Sequence, residues 1–427
     1  VNLLAEPPLR RERLSWALFD AANSAFTLVI VTVVYVLYFK SVVVGGDAGR
    51  GDFEWGRAVS LSALLVALSS PFMGALADAR AWRKQILAVY TVISIAATIA
   101  LGFTGPGTVA LAVVAFVIAN ATFEGGMAFY GSLLPSVSRP DNVGRVSGVG
   151  WATGYLGGLV CLLICFPFAT SHRVDIVCWI VAAWYAAFAW PLFAFVRDRV
   201  PPVPHTAGVM ARLRATLSGL RERPVLARFF VAYFIYNDAM TTAFAFSAPL
   251  AKDALGFSTA QIIQLVLGVQ VTGAAGAFFF GRMADRVGNA RVVRVSLVML
   301  IAIALSCVLC AADLDLWRQH PAARSMLFIV AGLSLGTVMG SVQAASRSFL
   351  AAVVEPEKSA EMFGLYAVAG KFSAVLGPLA FGALSLLTGG KAASVAMLAV
   401  MFAVGLALMW RVNEADCVGP AALGPGR

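Results

Sequence analysis

Long apolar stretches separated by short polar ones organise this chain. A helix needs roughly 20 apolar residues to cross a bilayer core. Stretches of that kind fall at 15–39, 58–77, 85–104, 108–132, 146–170 and 174–196, and again at 227–251, 260–283, 292–312, 325–350, 361–387 and 391–411. Between the third and fourth, Gly105-Pro106-Gly107 makes a turn that neither helix continues through. The longest polar interval, 197–226, carries Pro201-Pro202, Pro204 and a basic, amphipathic stretch. The pattern predicts an all-α integral membrane protein with twelve transmembrane helices in two pseudo-symmetric six-helix bundles. The bundles cover 1–196 and 227–411, joined by a cytosolic linker at 197–226. A tail covers 412–427, and from Asn413 on its Gly and Pro content suggests little order.

Composition removes the soluble alternative. Of 427 residues, 60% are hydrophobic and 13% charged, whereas a soluble domain carries about a quarter charged residues. The net charge of +10 would suit nucleic acid if it were gathered on one surface. It is divided instead into short patches between apolar runs, where it faces lipid headgroups and cytosol, so no nucleic-acid partner is expected. With a cytosolic amino terminus, 23 of the 32 basic residues fall on the cytosolic side, 8 on the other, and Lys371 lies inside a helix. The positive-inside tendency therefore places both termini in the cytosol. The first residues show no short apolar run before a small-residue cleavage site, so no cleaved leader is expected. Arginine outnumbers lysine 26 to 6, with abundant Ala, Val and Gly, a bias that suggests a bacterium of high genomic G+C content; the expected location is the bacterial inner (plasma) membrane.

Enzyme chemistry finds no foothold. Five of the six cysteines lie in apolar helices without the His or second Cys pair of a metal site. The three histidines, His172, His205 and His320, fall in loops. The stretch from Gly364 to Lys371 has a five-residue spacer between its glycines and Phe372 after the lysine, so it is not a phosphate-binding loop. No catalytic residue, metal or cofactor is expected.

The halves read as a duplication. Asp20-Ala-Ala-Asn-Ser-Ala-Phe26 recurs loosely as Asp238-Ala-Met-Thr-Thr-Ala-Phe244, an offset of 218. Gly74-Ala-Leu-Ala-Asp78 recurs as Gly281-Arg-Met-Ala-Asp285, an offset of 207. Pro140-Asp141, Gly148 and Gly154 recur as Pro356-Glu357, Gly364 and Gly370, an offset of 216. Six-helix repeats around a central site are a recurring transporter plan.

Three sets of residues carry the expected mechanism. The first is the pair of loops with Asp78, Arg83 and Lys84, and with Asp285, Arg286 and Arg291. Their spacing resembles the loop signature of the major facilitator superfamily. A glycine allows the turn, an Asp caps a neighbouring helix, and basic residues pair around it, so the loops are read as a gate. Arg347, toward the cytosolic end of its helix, joins this set as an anchor or gate residue. The second set is glycine: Gly150, Gly154 and Gly158 at i, i+4 and i+8, with Gly268, Gly273 and Gly276 in the other half, positions where helices approach closely. The third is polar side chains in apolar helices, which usually face a cavity or a partner because burying them in lipid is costly. These are Asp20, Asn23, Asn120, Glu124, Asn237, Asp238, Gln343 and Lys371. They are read as substrate-binding or proton-coupling groups, with fixed salt bridges, for instance Lys371 with Asp238 or Glu124, as the competing role.

Several of these strings together resemble the autophagy-related vacuolar effluxer family and its bacterial relatives. They include Ser15-Trp-Ala-Leu-Phe-Asp20-Ala-Ala-Asn23-Ser-Ala-Phe26, Gly144-Arg-Val-Ser-Gly148-Val-Gly-Trp151-Ala-Thr-Gly-Tyr155-Leu-Gly-Gly158 and Tyr236-Asn237-Asp238. Gln343-Ala-Ala-Ser-Arg347-Ser, Phe363-Gly-Leu-Tyr366, Gly370-Lys371-Phe-Ser and Gly377-Pro378 complete the match. The resemblance implies the major facilitator fold and an efflux carrier, with amino acids as the associated solutes. The expected partners are a small-molecule substrate, the lipid bilayer and protons as coupling ion, acting on a monomer. Export of amphiphilic drugs or lipids, through a pocket with Phe123, Phe129, Tyr130, Phe234 and Tyr236, is an alternative. A non-transporting membrane sensor or scaffold is another.

Overall fold

The structure, a computed structural model, describes residues 10–46, 48–200, 220, 223–312, 314–388 and 391–417. The linker prolines, His205 and the last ten residues of the tail lie outside the described residues. Among the described residues, twelve long helices follow one another: α1 Arg10–Val43, α2 Ala48–Arg80, α3 Arg83–Leu101, α4 Val109–Ser132, α5 Val143–Thr170 and α6 Val174–Phe195. After the linker come α7 Pro224–Leu255, α8 Thr259–Val287, α9 Asn289–Ala311, α10 Pro321–Val353, α11 Ser359–Thr388 and α12 Ala392–Met409. Eleven apolar stretches among the described residues, on every long helix but α7, are long enough to cross a membrane. Outward-facing side chains such as Leu68, Leu386 and Leu387 are apolar and exposed, as lipid requires and water would not tolerate.

Local chemistry fixes the ends. Ser258 Oγ accepts from Gln261 N at 3.3 Å while Ser258 N donates to Gln261 Oε1 at 2.9 Å, a reciprocal cap that starts α8. α7 stops at Gly256, whose positive φ of 67° a side chain would resist. α1 is less regular. After an α-helical Arg10–Ala25 it widens to π-helix over Phe26–Val33 and again over Phe39–Val43.

The chain divides into two compact units. One takes Val1–Arg214 together with Val354–Val368; the other takes Ala215–Val353 and Ala369–Arg427. The first unit therefore includes the amino-terminal turns of α11. Within it, α1 lies on α5 and α6, and α4 on α2 and α3. The expected glycine face of α5 makes the first contact. A Cβ on Gly154 would stand 2.7 Å from Ser24 Oγ, and one on Gly158 3.1 Å from Ser24 O. In the second unit α8 lies along α10. There a Cβ on Gly336 would stand 2.6 Å from Val269 O, and one on Gly276 would overlap the Thr337 backbone. Both seams are helix pairs that only glycine lets approach so closely.

Candidate functional site

The loop between α2 and α3 builds a clamp inside the first unit. Asp78, at the end of α2, turns its carboxylate onto the amino terminus of α11. Oδ1 accepts from Ala360 N at 3.1 Å and Oδ2 from Glu361 N at 2.9 Å. These amides lack intrahelical partners, and the helix dipole favours an anion there. Gly74 lets α2 come this close, since a Cβ on it would stand 2.6 Å from Ala360 O. Arg83 Nε donates to Asp78 Oδ1 at 2.7 Å, and Nη2 to Pro356 O at 2.8 Å. Lys84 Nζ donates to Val196 O at 2.7 Å. Asp78 is 1% exposed and Arg83 0%, so this pair is fully desolvated.

Two groups that sequence reasoning missed complete the clamp. Asp198, just past α6, receives Arg83 Nη1 at 3.4 Å. Burial pushes its carboxyl above the ordinary range, against the opposing pull of Arg83, the Val200 amide and Lys84. Arg199 beside it donates through Nη2 to both oxygens of Glu12, at 3.0 and 2.8 Å, and through Nη1 to Ser136 O at 2.8 Å. The run Arg197-Asp198-Arg199 was the available signal, but it reads equally well as the start of a solvated linker.

The second loop is built differently. Asp285 is half-buried at the end of α8, and Arg286 and Arg291 are exposed. Here the helix that receives a carboxylate is α9, and the carboxylate is Glu414, whose Oε1 accepts from Ala290 N at 3.1 Å. Glu414 opens a short helix, Glu414–Cys417, so this part of the tail is ordered against expectation: its side chain has a helix end to satisfy. Arg347 is buried in α10, between two serines with partners on other helices. Ser346 Oγ shares a hydrogen bond of 2.7 Å with Tyr236 Oη, and Ser348 Oγ donates to Asn289 Oδ1 at 2.5 Å.

The intramembrane polar residues separate by burial. In the first unit Asp20 Oδ2 accepts from Tyr130 Oη at 2.7 Å, and Asn23 Nδ2 donates to Met127 Sδ at 3.0 Å; both residues are buried among α1, α4 and α5. Asn120 Nδ2 donates to Ser62 Oγ at 2.7 Å, joining α4 to α2. Glu124, one turn on, is half-buried. In the second unit Asn237 Nδ2 donates to Gly370 O at 3.3 Å, and Asp238 Oδ1 accepts from Gly377 N at 2.9 Å, so both hold α7 to α11. Gln343 and Lys371 are half-buried. The structure thus brings Asn237 and Asp238 onto the helix that carries Lys371, and gives Asp20 and Asn23 partners of their own. Among the aromatics, Phe123, Phe129, Tyr130 and Tyr236 are buried in packing; Tyr130 stacks on Trp16 with centroids 4.5 Å apart.

Among the described residues no three His, Cys, Asp or Glu side chains gather closely enough to hold a metal. The long helices among the described residues and the buried carboxylate–guanidinium clamp at the α2–α3 turn fit a secondary transporter of the major facilitator fold. The solved human organic anion transporter MFSD10 (TETRAN) superposes with a TM-score of 0.76 over 95% of this chain and 100% of its own, at 16% identity. The chain belongs to the family described as vacuole effluxer Atg22 like, whose model matches residues 57–417. Its relatives include the MFS-type transporter YxiO of Bacillus subtilis, 26% identical over 94% of each chain. Autophagy-related protein 22-1 of Aspergillus fumigatus is 24% identical over 63% of this chain and 48% of its own. The chain thus spans about half the length of such fungal relatives.

Proposed function

We propose that this protein is a twelve-span efflux carrier, with α7 as the twelfth span, that works by alternating access on an amino acid or another small zwitterion. The clamp on α11 carries this reading. A fully buried ion pair that also caps a helix is made or broken as a unit, because removing one partner leaves the other charged and desolvated. That is the behaviour a gate requires. Asp78, Arg83 and Lys84 form the gate, with Asp285, Arg286, Arg291 and Arg347 as its counterparts in the second half. The charges a zwitterion needs are available as carboxylates at Asp20, Glu124 and Asp238 and an ammonium at Lys371. Asn23, Asn120, Asn237 and Gln343 supply neutral hydrogen bonds. Protons are the proposed coupling ion, the protein acts as a monomer, and both termini face the cytosol of a bacterial inner membrane.

Export of amphiphiles draws on one observation, an apolar cavity in the second unit lined by Phe246, Phe328, Phe381 and Phe402. At about 60 Å³ it is well below the roughly 300 Å³ at which drug-sized ligand sites begin, so the zwitterion reading is preferred. The deciding experiment reconstitutes the protein in liposomes and follows labelled amino acids, with and without an imposed pH gradient. Saturable flux lost in Asp78→Asn supports the carrier. Flux of amphiphiles alone would replace the solute class, flux indifferent to the gradient would make the protein a uniporter, and no flux of any solute would favour a sensor.

A further inference from the structure

We infer that Asp20, Asn23 and Ser24 on α1 form a binding site for a monovalent inorganic cation of the sodium type. The inference rests on the carrier reading only in giving the ion a use, because binding is measurable without transport. Positions i, i+3 and i+4 share one face of a helix, and here that face meets α4 and α5. Tyr130 and Met127 on α4 hold the first two side chains through Asp20 Oδ2 and Asn23 Nδ2. Gly154 on α5 closes the other side, where a Cβ would stand 2.7 Å from Ser24 Oγ and 3.4 Å from Asp20 Cβ.

The decisive atom is Asn23 Oδ1. The residue is 3% exposed, its amide is oriented by the bond from Nδ2 to sulfur, and no donor among the described residues reaches the oxygen. Native interiors satisfy such atoms. The repeat sharpens the contrast. At the matching offset of 218 the second half has Thr241 and Thr242. Their hydroxyls bond their own helix, Thr241 Oγ1 to Asn237 O at 3.0 Å and Thr242 Oγ1 to Asp238 O at 2.7 Å. Of these matched positions, it is Asn23 that leaves a buried acceptor oxygen without a donor among the described residues.

Directly beyond the site, α1 widens to π-helix at Phe26, a distortion frequent at functional sites and one that disturbs the ladder of backbone carbonyls. Carboxylate, amide and hydroxyl oxygens are hard donors, which favours alkali and alkaline-earth ions over transition metals. A single carboxylate suits a single positive charge better than two, since divalent sites gather several carboxylates.

The test uses the full-length protein purified in detergent. Thermal unfolding is compared in sodium chloride and choline chloride at equal concentration, and retention of radioactive sodium is measured with lithium and potassium as competitors. Sodium should raise the transition saturably. Asn23→Ala should weaken sodium binding at least by the roughly tenfold that loss of even an outer-shell partner costs at metal sites. Thr122→Ala, elsewhere on α4, should bind as the wild type does. Should Asn23→Ala not fold, Ser24→Ala is read in its place. Equal stability in sodium and choline with no retained sodium would overturn the site and leave Asn23 Oδ1 to a buried water. Wild-type affinity in Asn23→Ala would overturn it equally. Sodium binding without solute flux would sink the carrier reading and spare the site; flux without sodium binding would do the reverse.

Discussion

Asp78 and Glu361, 283 residues apart in sequence, are joined by a hydrogen bond of 2.9 Å from the Glu361 amide to the Asp78 carboxylate. The same carboxylate accepts from Arg83. One side chain thus satisfies a helix end and neutralises a buried guanidinium. Removing it should cost more than either task alone. Asp78→Ala is expected to destabilise the protein by about 3–5 kcal/mol, the usual effect of stranding a buried charge. Asp78→Ala combined with Arg83→Met should recover much of that stability in a thermal unfolding assay but not flux in liposomes. Recovered flux would make the pair structural only.

The α2–α3 and α8–α9 loops differ at one corresponding backbone position. Ala81 has a φ of 54°, and Gly288, 207 residues later, has a φ of 92°. A side chain in the left-handed region costs about 1–2 kcal/mol, partly offset by the greater freedom that glycine loses on folding. Ala81→Gly should therefore stabilise the protein by about 0.5–1 kcal/mol. The readout is a small rise in the unfolding midpoint with transport unchanged.

The seam between α8 and α10 should reject side chains where the backbones touch and accept them elsewhere. Gly276→Leu has the Thr337 backbone in its way, and overpacking of this kind typically costs 1–3 kcal/mol or more. Gly382→Ala meets nothing within 4 Å and should be close to neutral. Size-exclusion profiles of the two variants after a heating series would separate them. Equal behaviour would mean that the seam is looser than its geometry implies.

Solute recognition makes the sharpest demand on Lys371 and Asp238. Lys371→Ala should abolish stabilisation by amino acids in a thermal-shift screen. Asp238→Asn keeps an acceptor for the Gly377 amide, so it should fold and lose solute response alone. If both variants respond to every amino acid as the wild type does, the zwitterion reading fails.

Much of this was legible in the chain because lipid leaves few options. Every backbone group must be bonded within a helix, so each apolar run read as a span corresponds to a long helix. Glycine spacing anticipated the seam of α5 against Ser24, and the strings around Asp20, Asn237 and Gly377 identified the family before any coordinates. What stayed hidden depends on burial and on distant partners. Arg199 looks like any linker arginine until Glu12 and Ser136 surround it. The π-helical Phe26–Val33 reads Phe-Thr-Leu-Val-Ile-Val-Thr-Val, a sequence too uniformly apolar to show a period. That Asn23 Oδ1 lacks a donor among the described residues while Thr241 and Thr242 bond their own backbone is a matter of side-chain geometry, which periodicity does not encode.

The assignment of residues 354–368 to the first unit bears on how this protein can be taken apart. A fragment ending at the linker would carry Asp78 and Arg83 without the Ala360 and Glu361 amides or the Pro356 carbonyl, and a free helix end would remain on the other piece. Separately expressed halves should therefore be poor folders singly and recover only when produced together. The break a geneticist would first choose, in the middle of the chain, divides the clamp from the helix it holds. A circular permutant that keeps Asp78 and Glu361 on one continuous piece should tolerate its new ends better than a simple bisection.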